Sequence, residues 1–209
     1  MKTLLFCLLM LSNAGISTHT NNYPKPGGVS VLTVDPAVST INWKAEKPTG
    51  KHNGTIRIQS GDLVFYCKQL AKGSITIDMN SITVCDLVML DKQKLENNLK
   101  GDNFFDTDSF PLAKLDIVSV DHRSESVYHF VTVTGNLMLH GISKKVVFTV
   151  DISKNTDTSF MAQADIKINR RDWNIATKNV KYDTFIYSDI NLHVLLQANK
   201  ANTQTAASL

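Results

Sequence analysis

The chain has 209 residues, of which 43 % are hydrophobic and 20 % charged, with a formal net charge of +3, a balance that suits one globular domain or at most two. So small a charge, with no basic run interleaved with aromatics, leaves no footprint for nucleic acid. No stretch reaches the roughly 20 apolar residues of a spanning helix, so no integral membrane span is expected.

Residues 1–17 read as a signal peptide. Lys2 supplies the positive end, "LLFCLLML" at 4–11 the short apolar run, and Ser12, Ala14, Gly15 and Ser17 the small residues for cleavage after Ala14 or Ser17. Cys7 lies inside the apolar run rather than after it, which argues against a lipid-anchored cysteine. The mature protein is therefore expected to be exported, periplasmic or secreted. Residues 18–30, "THTNNYPKPGGVS", are polar with Pro and Gly and read as a flexible lead-in.

From residue 31 to 197 the sequence reads as one domain ruled by period-two alternation, the pattern of half-buried strands. "TINWKAE" (40–46) aligns Ile41, Trp43 and Ala45, and "GTIRIQS" (54–60) aligns Ile56 with Ile58. The Asn53-Gly54-Thr55 sequon reads as a turn as readily as a glycosylation acceptor. "SGD" (60–62) has turn chemistry, and "LVFY" (63–66) then aligns Leu63 with Phe65. "GSITIDM" (73–79) aligns Ile75, Ile77 and Met79. A hairpin between these last two puts Cys67 at its turn. Cys85 then lies about 40 Å of straight strand beyond Gly73, whereas a disulfide needs Cα atoms within about 7 Å. Two separate thiols are predicted.

"DKQKLENNL" (91–99) is the best helix, with Asp91 placed to cap it, Leu95 and Leu99 on one face and Gly101 to end it. "GDNFFDTDSFP" (101–111) follows. Its aspartates, Asp102, Asp106 and Asp108, lack the spacing, the Gly and the Glu of an EF-hand loop. They read better as turn residues, with Pro111 opening a strand, which leaves Phe104 and Phe105 in need of an apolar site. "LAKLDIVSV" (112–120), "VYHFVTVTGNLML" (127–139), "KVVFTVDI" (145–152), "FMAQADIKI" (160–168) and "TFIYSDINLHVLL" (184–196) complete about nine strand segments. Residues 198–209 read as a disordered tail. Short links such as "SKNTDTS" (153–159) suit antiparallel neighbours. The pattern alone leaves a sandwich and a closed barrel open.

No catalytic constellation is legible. His52, His122, His129, His140 and His193 are not at metal spacing, and HExxH, CxxC, GxSxG, SxxK and GxGxxG are all missing. The expectation is a protein that is not an enzyme, with no metal and no cofactor.

Five segments in order resemble the YceI-like family of exported bacterial proteins, which bind lipid or polyisoprenoid in a lipocalin-like fold. They are "VDPAVSTINWKAEKPTGKHNGTI" (34–56), "GSITIDMNSIT" (73–83) with its "NSI" bend, "KLENNLKGDNFFDTDSFPLAKLDIVSV" (94–120), "VTGNLMLHGISKKVVFTV" (133–150) and "INRRDWNI" (168–175). The resemblance implies an all-β fold, an eight-stranded antiparallel lipocalin-like β-barrel with one short helix. It also implies an apolar lipid partner of the isoprenoid quinone or polyprenyl type, bound inside for transport, storage or sequestration. Strand parity then nominates an apolar barrel lining of Trp43, Ile58, Phe65, Ile75, Ile77, Met79, Leu137, Phe148, Ala164 and Ile166, with Phe104 and Phe105 at one end as plug or lip. The small residues Gly135, Ala162 and Ala164 should leave volume inside. Parity says which side a residue faces and not whether the space is filled, so a packed interaction or stress-response module without ligand stays open, as does a homodimer.

Overall fold

The computed structural model describes residues 28–47, 50–122, 129–175 and 188–201. The residues read as a signal peptide, most of those read as a lead-in, the strand ends read at 127–128 and 184–187, and the residues from 202 read as a tail lie outside the described residues.

Among the described residues nine strands form one antiparallel sheet: β1 (Val29–Val34), β2 (Thr40–Lys47), β3 (Gly50–Tyr66), β4 (Gln69–Val84), β5 (Leu112–Asp121), β6 (Phe130–Leu139), β7 (Ile142–Asn155), β8 (Ser159–Asn169) and β9 (Asp189–Asn199), with a helix α1 (Met89–Lys100) between β4 and β5. The sheet order is β1-β3-β2-β9-β8-β7-β6-β5-β4, and a further β3–β4 pairing closes it into a barrel.

Nine strands make an eight-stranded ring because β1 and β2 share one position. β1 pairs with residues 62–66 of β3, and β2 with residues 50–56 of the same strand. Both also pair with β9. Residues 35–39 interrupt what is otherwise one strand, and they keep its bonds to β9. Asp35 N–H donates to the Gln197 carbonyl at 2.9 Å. Ser39 Oγ accepts from Gln197 N–H at 3.0 Å and donates to its carbonyl at 3.2 Å. Such bonds keep the facing Gln197 backbone paired across the break.

The register explains where the alternation misleads. "SGD" is no turn, and β3 runs straight through it. The register against β4 shifts between Ile58 and Ser60, a β-bulge that flips side-chain parity. Ile58 and Gly61 both face inward, three residues apart. One 17-residue strand therefore reads as two. Asn53-Gly54 likewise lies within β3, in register with Lys44 and Trp43. The turn is at Cys67 and Lys68, both with positive φ, 52° and 67°. Cys67 and Cys85 form no disulfide.

The bend read at "NSI" is a second bulge, between Asp78 and Thr83 of β4. Ser81 fills it. Its hydroxyl donates to the Asp78 carbonyl at 2.6 Å and accepts the Arg57 N–H at 2.7 Å.

Several boundaries differ from the sequence reading, and the link read at 153–159 shrinks to 156–158 because β7 runs to Asn155 and β8 begins at Ser159. β1 begins inside the lead-in. β9 runs on to Asn199, past the boundary at 197, with Ala198 fully buried opposite Phe160. The helix starts at Met89, after Val88 at its N-cap. No side chain caps it, so Asp91 lies in the first turn and is not the cap. Gly101 does end α1, donating to the Asn97 carbonyl at 2.8 Å, but at φ −69° rather than left-handed.

Candidate functional site

Inward-facing residues gather into two apolar clusters, one at each end of the barrel. The first surrounds Phe65, Leu70, Val131, Ile152 and Phe160; the second surrounds Trp43, Met79, Phe105, Leu139, Trp173 and Ile190. Each encloses a cavity. The first, about 90 Å³, is bounded by residues including Ile58, Ile75, Ile77, Leu137, Phe148, Ala162, Ala164 and Ile166. The second, about 80 Å³, is bounded by residues including Trp43, Ile77, Met79, Leu99, Phe104, Phe105 and Leu137. No polar surface lines either cavity. A cavity so lined stays dry and favours apolar guests.

The first end is shut by contacts across the ring. Phe65 on β3 meets Phe160 on β8 edge-on, with centroids 5.2 Å apart. The β3–β4 and β7–β8 turns lie on opposite sides of the ring, yet they touch. Asn155 Nδ2 donates to the Lys68 carbonyl at 2.8 Å, and Lys68 Nζ pairs with Asp157 at 3.2 Å. The exposed ion pair adds little energy; the contact itself shows the closure.

The second end is covered by α1 and the corner that follows it. The corner is held by its backbone. The Gly101 carbonyl accepts from Phe104 and Asp106 N–H, both at 3.0 Å, and the Asp106 carbonyl accepts from Phe110 at 2.8 Å. Asp106 takes positive φ, 47°, a conformation Asp tolerates better than most residues. Among the described residues no group of three His, Cys, Asp or Glu side chains converges as a metal site.

Phe104 and Phe105 stack edge-on at 4.9 Å and face the second cavity. Behind Phe104 stands the guanidinium of Arg170, 5.6 Å from its ring centroid. Arg170 is fully buried, in a 3₁₀ turn (Arg170–Trp173), and its Nη1 donates to the Ile175 carbonyl at 2.6 Å. Trp173 Nε1 donates to the Leu137 carbonyl at 3.1 Å, tying this turn to β6. α1 is fastened more lightly. It has no buried residue, Leu95 and Leu99 rest half-buried on the second cluster, and Glu96 Oε1 accepts the Val84 N–H at 2.8 Å.

Eleven of the twelve nominated residues thus border a cavity. Phe65 is interior but packs on Phe160 instead of bordering free space. Of the three small residues, Ala162 and Ala164 border the first cavity, whereas Gly135 does not leave room. A Cβ there would lie 2.8 Å from Leu115 Cδ1, so Leu115 has already filled the space. The nominated lining left out Ile41 and Leu192, which border both cavities. Both carry the alternation signal, and only the cross-ring geometry sets them apart from their neighbours.

A closed antiparallel barrel with a helix beside one end and an apolar, partly hollow interior defines the lipocalin-like class of β-barrel. Within that class the chain belongs to the YceI-like domain family, whose sequence model matches residues 32–198. The fold is similar to that of Burkholderia cenocepacia BcnA, at 18 % identity and TM-score 0.63 over 79 % of this chain and 99 % of that one. It is similar to a polyisoprenoid binding domain from Saccharophagus degradans implicated in plant cell wall breakdown, at 16 % and 0.60 over 83 % and 100 %. It is also similar to the Campylobacter jejuni YceI protein, at 18 % and 0.52 over 96 % and 92 %. A search of curated proteins found no match.

Proposed function

We propose that this protein is an exported, non-enzymatic carrier that holds a long apolar lipid of the isoprenoid quinone or polyprenyl type inside its barrel. The observation that carries the reading is the pair of wholly apolar cavities within the closed ring. Membership of the YceI-like family supports it, as does the likeness to a polyisoprenoid binding domain. The signal-like residues 1–17 support export to a periplasmic or extracellular space.

The energetics follow from burial. Each 100 Å² of lipid surface moved into the barrel is worth about 2.5 kcal/mol, offset by the cost of ordering the chain and the protein around it. With no polar surface exposed on the cavity walls, the interior recognises shape and apolarity. A headgroup stays at an end.

The small size of each cavity favours a second reading, a packed-barrel interaction or stress-response module without ligand. Organic extraction and mass spectrometry of the purified protein separate the two. The carrier reading expects a co-purified isoprenoid lipid, or uptake of added quinone or polyprenol. Protein that is empty and takes up neither would end it.

A further inference from the structure

The two cavities share part of their walls. Ile41, Ile77, Leu137 and Leu192 border both. They come from the neighbouring strands β2 and β9 and from β4 and β6 farther round the ring. Ile77 and Leu192 are half-buried, and Ile41 and Leu137 buried. Common to both walls, these four aliphatic side chains make up a ring where the two cavities meet.

We propose that this ring sets how deep an apolar chain penetrates and so selects the chain length of the ligand. The inference rests on the lipid-carrier reading and adds to it a named specificity element. A chain entering one cavity gains buried surface per isoprene unit until its end meets the ring. Further units gain only if the four side chains rotate aside, which costs rotamer strain and lost packing. An apolar pocket discriminates weakly per methylene when it merely differs in size. A constriction discriminates more sharply, because every unit beyond it stays outside.

The test is a titration of the full chain with polyprenols of increasing isoprene number, on wild type, Ile77→Ala and Leu192→Ala. Wild-type affinity should rise with length and then level off. Both variants should move that plateau to longer chains and tighten binding of the longest by roughly tenfold, the worth of about two further buried methylenes. Short polyprenols, whose ends do not pass the ring, should gain no affinity from either substitution. Affinity that climbs without a plateau in wild type, or a plateau unmoved in both variants, overturns the proposal and leaves the carrier reading standing. Failure of wild type to bind any polyprenol overturns the proposal, and failure to take up quinone as well overturns the carrier reading with it. Should a variant fail to fold, xenon-pressurised crystals of wild type still decide. Two separate xenon sites, either side of the four residues, are expected, and continuous density through them overturns the constriction.

Discussion

Trp43 Nε1 donates to the Thr83 carbonyl at 3.1 Å across Gly54, and both partners occupy the space a side chain at position 54 would need. A Cβ on Gly54 would fall 1.7 Å from the Thr83 oxygen and 2.8 Å from the indole nitrogen. The glycine is required by close backbone approach at the second bulge, not by a turn. Gly54→Ala should therefore cost at least the 1–3 kcal/mol typical of overpacking, roughly, read as a lowered urea midpoint. A variant as stable as wild type would mean that β3 and β4 are not so closely apposed there.

Glu96 is the side chain that hydrogen-bonds α1 to the buried end of β4. Removing it leaves the Val84 N–H unpaired beside a fully buried residue, at a cost of about 1–3 kcal/mol. Glu96→Ala should lower stability by that amount and speed amide exchange across residues 89–100. Glu96→Gln keeps the accepting oxygen and should restore both. Equal behaviour of the two variants would argue against the bond.

Ala164→Phe should fill the first cavity. A packed core would lose about 1–3 kcal/mol to the added bulk. Free space beside Ala164 should hold the loss below about 1.5 kcal/mol while lipid uptake disappears. Thermal unfolding and lipid extraction on the same preparation check both halves. Large destabilisation with lipid retained would contradict the cavity assignment.

Asp86 should contribute stability at neutral pH that is lost in acid. Burial works against its carboxylate, but the Asn53 backbone N–H and the His52 ring outweigh it and hold the pKa below the ordinary 3.8. His52 Nδ1 lies 2.9 Å from Oδ2, and Asn53 N–H donates to Oδ1 at 3.1 Å. A depressed folded-state pKa gives stability that is present above the unfolded value and lost as pH falls through the folded one. Stability should thus decline below about pH 4, and Asp86→Asn should flatten that limb. Parallel acid limbs for wild type and variant would remove Asp86 from the account.

Much of the barrel was legible because its signals are local. The alternation in "VTGNLML" and "FMAQADI" marks the buried faces of β6 and β8, since a strand turns its side chains over every two residues. "DKQKLENNL" and Gly101 marked the helix and its end. The errors share one cause. At "SGD" a bulge breaks parity, and a broken alternation looks like a turn until the partner strand is known. At Gly54 the glycine answers to Trp43 and Thr83, which are distant in sequence.

The sequence by itself determined which residues face inward, that the strands are antiparallel neighbours and where the helix lies, because periodicity and chain length act over a few residues. Only the tertiary structure decided that β1 and β2 share one place in the ring, that Phe65 seals an end rather than bordering free space, and that Leu115 covers Gly135. Those outcomes depend on how side chains from all the strands add up in one enclosed volume, which no single strand encodes. The corner "GDNFFDTDSFP" joins both kinds. Its turns were readable from Gly, Asp and Pro. The place of Phe104 and Phe105 at the edge of a cavity, backed by Arg170, emerges only when α1, β2, β4 and the 3₁₀ turn meet at the same end of the barrel.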